Sequence, residues 1–222
     1  MAKKTKIAII GLGYVGLPLL IYATKKYDCI GFDIDKKIIE DLSKRNDARN
    51  ILTSKEKRSL KNIKVTDDES SLGNCNVFIV TVPTPIDELK NPDLTSIIHA
   101  TKLIAKYIKK KDLVIYESTV YPGVTEEICV PIIEKISKLK LNKEFYCGYS
   151  PERVNPGDAD RTLDKIIKVT SGSNDYAAKE VNKIYNNIID AGTFMAESIK
   201  VAEMSKVIEN TQRDLNIGLM NE

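Results

Sequence analysis

The stretch "KIAIIGLGYVGLP" near the N-terminus constrains the fold more than any other part of the chain. An apolar, β-branched run of strand character leads directly into G-x-G-x-x-G at Gly11, Gly13 and Gly16, and an amphipathic helical pattern follows. At such a junction each glycine has a mechanical task. Gly11 permits the tight turn, Gly13 lets the backbone approach a pyrophosphate, and Gly16 lets helix pack on sheet. The motif alone is a weak signal, because glycine turns occur in many α/β chains. The mechanism also demands an acidic residue at the end of the next strand, about 20 residues on. "CIGFDID" supplies Asp33 there, with Asp35 just beyond. A carboxylate at that point accepts hydrogen bonds from ribose hydroxyls and repels a 2′-phosphate, so NAD is expected over NADP.

The rest of the chain keeps the same rhythm. A helical pattern over 14–26 is followed by "DCIGFD", a helix over 35–45, "IKVT", "NVFIVTV", a helix over 94–109, "DLVIYES", a helix over 123–138 and "EFYCGYS". "KIIKVTSG", a helix near 174–187 and "DAGTFMA" come next, and an uninterrupted helical pattern closes the chain. Strands alternating with helices imply right-handed crossovers and parallel pairing. The expected architecture is α/β: a Rossmann-like doubly wound, mainly parallel sheet over 1–196, then a long connecting α-helix from 197 to 222.

Composition removes several alternatives. A net charge of +3 is too small to argue for nucleic acid or an anionic membrane surface as partner. The four cysteines, Cys29, Cys75, Cys129 and Cys147, form no CxxC pair, and His99 is the single histidine. That spacing speaks against a zinc site and against a disulfide framework. The basic start runs into the glycine motif without a cleavage site, and no apolar run approaches a membrane span. A cytoplasmic protein is expected.

In an open parallel sheet, ligands collect at the carboxyl ends of the strands. Three loops there are unusual. "TVPTPID" carries Thr81, Pro83, Thr84 and Pro85, "STVYPG" carries Ser118, Thr119, Pro122 and Gly123, and "YSPERVNPGDA" carries Ser150, Glu152, Arg153, Asn155 and Pro156. One proline-rich loop means little, since prolines commonly end strands. Three at one edge, beside a dinucleotide fingerprint, indicate a shared site.

"GLGYVGLP", "GFDID", "VPTP", "ESTVYPG", "SPERVNPG" and "AEMSKVIENTQRDLNIGLMNE", in this order, resemble the N-terminal portion of the UDP-glucose/GDP-mannose dehydrogenase family, the NAD-dependent nucleotide-sugar 6-dehydrogenases. The resemblance implies that Gly11, Gly13, Gly16 and Asp33 hold the adenosine diphosphate half of NAD. It places Tyr14, Val15, Thr81, Pro83, Thr84 and Ser118 along the cofactor and Thr119 near the nicotinamide. Glu152 becomes the acidic residue beside the substrate, acting as or through a general base. Lys206 and Asn210, spaced i, i+4 on one helical face, bring a cation and an amide donor to a developing oxyanion. Arg153, Asn155 and Arg213 are assigned to the sugar or its phosphates.

The same resemblance implies a four-electron oxidation at C6 in which a cysteine adds to the aldehyde and a thioester is hydrolysed to the uronate. That cysteine belongs to a "G-x-C" segment beyond the long helix, which this sequence lacks, and none of its four cysteines is expected to replace it. The chain is thus expected to be the NAD-binding half, without the C-terminal UDP-binding domain and inactive alone, with a homodimer formed through the terminal helix. Pro156 stands where UDP-glucose dehydrogenases commonly carry a second acidic residue, which points to a UDP-N-acetylhexosamine as substrate. UDP-glucose, a non-catalytic NAD-sensing module and a two-electron β-hydroxyacid-type dehydrogenase are the alternatives.

Overall fold

Side chains of a strand alternate between faces, so a sheet covered on both sides needs strands that are apolar on both. The first strand, β1 (Lys6–Ile10), has this character: Ile7 and Ile9 enter one core, Ala8 and Ile10 the other. The computed structural model describes residues 4–153 and 163–221. In chain order β1 is followed by α1 (Gly16–Ala23), β2 (Asp28–Phe32) and α2 (Lys36–Ser43), which Asp35 caps by accepting from the Lys37 N–H at 2.8 Å. A short helix, α3 (Ser54–Lys57), precedes β3 (Val65–Thr66) and β4 (Val77–Val80). Its four residues span too little chain to show a helical period. They are held by a capping box in which Thr53 and Glu56 satisfy each other's backbone N–H.

The second half contains α4 (Thr95–Tyr107), β5 (Leu113–Tyr116), α5 (Val130–Ser137) and β6 (Tyr146–Tyr149), then β7 (Lys168–Gly172), α6 (Asp175–Ile188), β8 (Thr193–Met195) and α7 (Ile199–Asn221). The helix expected over 123–138 begins as a wider π-helical turn, Val124–Cys129, before tightening into α5.

The strands form one sheet in the order β3-β2-β1-β4-β5-β6-β7-β8. Pairing is parallel throughout except between β6 and β7, which run antiparallel. Helices α1, α2 and α6 cover one face and α4, α5 and the start of α7 the other, each with its own apolar core. The doubly wound reading of the sequence therefore holds. Strand order reverses between β1 and β4, and a crevice opens at their carboxyl ends. Only Ile199, Ala202 and Glu203 of α7 are buried, whereas Leu215, Ile217, Leu219 and Met220 are all exposed.

Candidate active site and dinucleotide cleft

The glycine turn at the β1 end is shaped by backbone contact. Gly11 has φ +94, in the left-handed region, and its N–H donates to the Phe32 carbonyl at 2.9 Å. A Cβ on Gly16 would lie 1.9 Å from the Gly11 carbonyl oxygen and 2.4 Å from the Thr81 hydroxyl, so α1 seats directly on the turn. A Cβ on Gly13 would meet nothing within 4 Å, because this residue faces the open crevice. The Asp33 carboxylate accepts from the Leu12 N–H at 2.7 Å and from the Asp35 N–H at 3.0 Å, which fixes its aim at the crevice mouth.

Gly11, Gly13, Asp33, Thr81, Val82 and Pro83 share a cleft of about 630 Å³. The open space at Gly13, the left-handed turn at Gly11 and an oriented carboxylate at Asp33 together fit a dinucleotide: the first two give the pyrophosphate room beside the start of α1, and the third meets a ribose. Arg49, absent from the sequence-based site, lines the same cleft, and its guanidinium donates to the Leu12 carbonyl. No motif marks it, since it is brought in from a loop 37 residues away.

The loops expected along the cofactor are tied to one another. The Thr81 hydroxyl donates to the Gly11 carbonyl at 2.7 Å, so it braces the turn. Ser118 Oγ donates to the Val82 carbonyl at 2.6 Å, and Thr84 Oγ1 to the Thr119 carbonyl at 2.5 Å. These two bonds join the loops after β4 and β5. Thr119 itself is exposed, as are Pro83 and Tyr14, while Val15 is the N-cap residue just before α1.

Glu152, in the loop after β6, is only 8% exposed. Its Oε2 accepts from Lys168 Nζ at 2.8 Å, and the same ammonium reaches Glu117 Oε2 at 2.7 Å. The Tyr185 hydroxyl donates to the other oxygen of Glu117, completing a buried chain from α6 to the Glu152 loop. Burial alone would lower the pKa of Lys168, but the charges of Glu117 and Glu152 outweigh it and hold the ammonium above its ordinary value. Complete burial pushes Glu117 above the usual carboxylate range against the pull of Lys168, and the charge of Glu152 adds to the rise. Sequence reasoning missed Glu117, Lys168 and Tyr185. Lys168 stands inside a strand pattern, and a lysine there gives no sign that it points into a core.

Helix α7 brings the remaining residues. The Lys206 side chain is 12% exposed, and burial pushes its pKa below the usual lysine range against the pull of Glu209. Arg153 reaches across from the Glu152 loop to Glu209 Oε1 at 3.1 Å, and Arg213 approaches the same oxygen at 3.5 Å. Asn210 is exposed, and its Oδ1 accepts from Arg213 at 3.4 Å. The structure thus gathers Arg153, Lys206 and Arg213 around Glu209, with Asn210 exposed beside them and Glu152 accepting from the Arg153 N–H. Asn155 and Pro156 lie outside the described residues.

One further residue positions the helix. Glu203 is fully buried and accepts from the Gly123 N–H at 2.6 Å and the Thr125 N–H at 3.0 Å, both at the start of the π-helical turn. Those donors would otherwise be orphaned at a helix N-terminus. A regular helical pattern carries no signal for this contact.

Comparison with known proteins agrees with this geometry. Residues 5–189 match the model of the UDP-glucose/GDP-mannose dehydrogenase family, NAD binding domain. The chain belongs to this family. It carries that family's NAD-binding domain. A UDP-N-acetyl-D-glucosamine 6-dehydrogenase of Pseudomonas aeruginosa is 54% identical over 220 residues, covering 99% of this chain and 52% of the relative. The Salmonella typhi enzyme of the same description is 51% identical over 219 residues, again 99% of this chain and 52% of the relative. Among solved structures, a UDP-D-ManNAc dehydrogenase from Pyrococcus horikoshii superposes with a TM-score of 0.88 at 34% identity, covering 98% of this chain and 52% of that one. This chain therefore spans about half the length of the curated relatives it matches.

Proposed function

We propose that this chain supplies the NAD-binding half, residues 1–196 plus the start of a connecting helix, of an enzyme that oxidises the C6 hydroxyl of a UDP-N-acetylhexosamine to the uronate. The observation that carries this reading is the juxtaposition of the Glu152 loop and Lys206 at the sheet edge that also holds the dinucleotide cleft, in a chain 54% identical to a UDP-N-acetyl-D-glucosamine 6-dehydrogenase. When bound, NAD accepts the hydride that leaves C6. Asp33 takes the adenosine ribose and disfavours a 2′-phosphate, and Thr119 borders the reacting centre. Glu152 draws off the hydroxyl proton directly or through a water. Lys206 and Asn210 stabilise negative charge on the substrate oxygen, while Arg153, Asn155 and Arg213 bind sugar or phosphate.

The thiol chemistry comes from elsewhere. All four cysteines are buried, and burial pushes Cys29 up to about 12, Cys75 and Cys129 to about 11, and Cys147 well above its ordinary value. A catalytic cysteine must be an accessible thiolate, so this chain alone does not complete the oxidation. The exposed apolar residues of α7, from Met204 and Ile208 to Met220, suit a homodimer interface or the seat of a C-terminal UDP-sugar domain. Widely spaced reduced thiols suit a cytoplasmic enzyme.

Calorimetric titration with NAD, followed by NADH assays with UDP-N-acetylhexosamines and UDP-glucose, tests the reading. We expect binding but no turnover from this chain, and two NADH per sugar once a C-terminal nucleotide-sugar domain is supplied in trans. One NADH per sugar would replace the four-electron reading with a simple dehydrogenase.

A further inference from the structure

Arg49 sits in the loop between α2 and α3, and that loop is braced at several points. Asp47 is buried there: its Oδ2 accepts from the Leu52 N–H at 2.8 Å, and its carbonyl from the Asn50 N–H at 3.0 Å. Asn50 takes a left-handed turn at φ +52, and its side-chain oxygen accepts from Lys57 Nζ at 2.9 Å. Leu52 then enters the core that α1 also packs into. The backbone therefore delivers the Arg49 side chain to one place. There its Nη2 donates to the Leu12 carbonyl, while the N–H of the same Leu12 donates to Asp33 Oδ2 at 2.7 Å. Asp33 and Arg49 thus hold one residue of the glycine turn by its two backbone groups. Ile38 and Arg49 border both the dinucleotide cleft and an adjoining cavity of about 400 Å³ beside the start of α2. Arg49 accordingly stands on the α2 side of Asp33, whereas the open space at Gly13 lies toward α1.

We propose that Arg49 is a cofactor-binding residue that, together with Asp33, decides how the cleft treats the 2′ position of the adenosine ribose. This rests on the reading of the cleft as a dinucleotide site with Asp33 at the ribose. A guanidinium carries five N–H donors in a rigid planar fork, so it can serve the Leu12 carbonyl and a ligand at once. A ribose 2′-hydroxyl suits both residues, because a hydroxyl donates to the Asp33 carboxylate while accepting from Arg49. A 2′-phosphate sets them against each other. The Arg49 cation attracts it, and the Asp33 carboxylate repels it and receives no hydrogen bond in return. Preference for NAD is then the balance of two opposed charges, and removing the charge of Asp33 exposes the attraction of Arg49.

Calorimetric titration of the chain with NAD and with NADP tests this in a cycle of Arg49→Met, Asp33→Asn and the double variant. Arg49 is exposed, so methionine there leaves the core untouched. We expect Arg49→Met to weaken NAD binding about tenfold, the size of one hydrogen bond from a charged donor, and NADP binding by more. Asp33→Asn should raise NADP affinity about tenfold where Arg49 is present and leave it unchanged where Arg49 is replaced. An unchanged NAD affinity in Arg49→Met would overturn the contact. An equal NADP gain in both backgrounds would remove Arg49 from the 2′ position. A residue that merely braces the turn would, when replaced, weaken NAD and NADP by one common factor, and a fixed ratio would overturn the assignment. Failure of the unaltered chain to bind NAD would instead sink the cofactor reading itself before any variant is compared, so the two failures are distinguishable.

Discussion

Along the β1 and β4 edge the site is shaped by missing side chains: Gly16 touches the Gly11 carbonyl, and Gly13 opens on empty space. Along the β5, β6 and β7 edge of the same sheet it is shaped by buried charge, with Lys168 between Glu117 and Glu152, and Glu203 capping the turn at Gly123. The first arrangement depends on sterics and backbone geometry, which leave no room for a side chain at Gly16 and open space at Gly13. The second depends on matched polar partners, each costly to leave alone. A steric cradle is fixed by its backbone, while a cluster of buried charges is set by the protonation and pairing of its members.

The comparison can be broken most severely at Gly16. In Gly16→Ala the new methyl overlaps backbone that cannot move aside, so we expect NAD affinity, measured by calorimetry, to fall at least about 100-fold, with about 1–3 kcal/mol of stability lost. A nearly unchanged affinity would mean that close packing does not define that edge. On the polar side, Glu203→Ala strands the Gly123 and Thr125 N–H groups in a buried position. Urea unfolding should then show a loss of about 2–4 kcal/mol, and a loss below 1 kcal/mol would mean that α7 docks by apolar contact alone.

A smaller effect is expected at Asp33. Asp33→Asn removes the charge that repels a 2′-phosphate, and the preference for NAD over NADP should narrow about tenfold, or about 1.4 kcal/mol. Equal affinity of the unaltered chain for both cofactors would refute the role given to Asp33.

Near neutral pH the buried thiols should show no effect at all. Their folded pKa values lie above the ordinary 9.0, so the stability they contribute is complete below pH 9 and is lost as pH rises through about 11 to 12. Alkylation of the native chain at pH 8, followed by mass spectrometry, should leave all four unmodified. Rapid labelling of Cys147 would overturn the expectation that none of the four cysteines serves as nucleophile.

Much of the dinucleotide edge was legible in the residues because its determinants are local. A strand, a glycine spacing and an acid at the end of the next strand lie within one βαβ unit, and each residue type has a steric or charge reason to be there. Arg49 escaped notice because it enters from a loop with no pattern of its own. Along the charged edge, candidate residues came only from the resemblance of short motifs. Those motifs pointed to Glu152 and Lys206 but not to the residues behind them. Glu209 reads as an ordinary surface glutamate on an amphipathic helix, yet it draws Arg153 and Arg213 together.

By itself the sequence determined the alternation of strands and helices, the apolar faces of each strand, the glycine turn and the acid at the end of the second strand, since these follow from periodicity and local backbone chemistry. Only the tertiary structure decided which charges are buried and with whom. Lys168 meets Glu152 across 16 residues and Glu117 across 51, and Glu203 meets Gly123 across 80. A charged side chain carries no mark of its surroundings in the sequence. Its protonation, and with it its chemistry, is set by the partners and the water that the completed fold leaves around it.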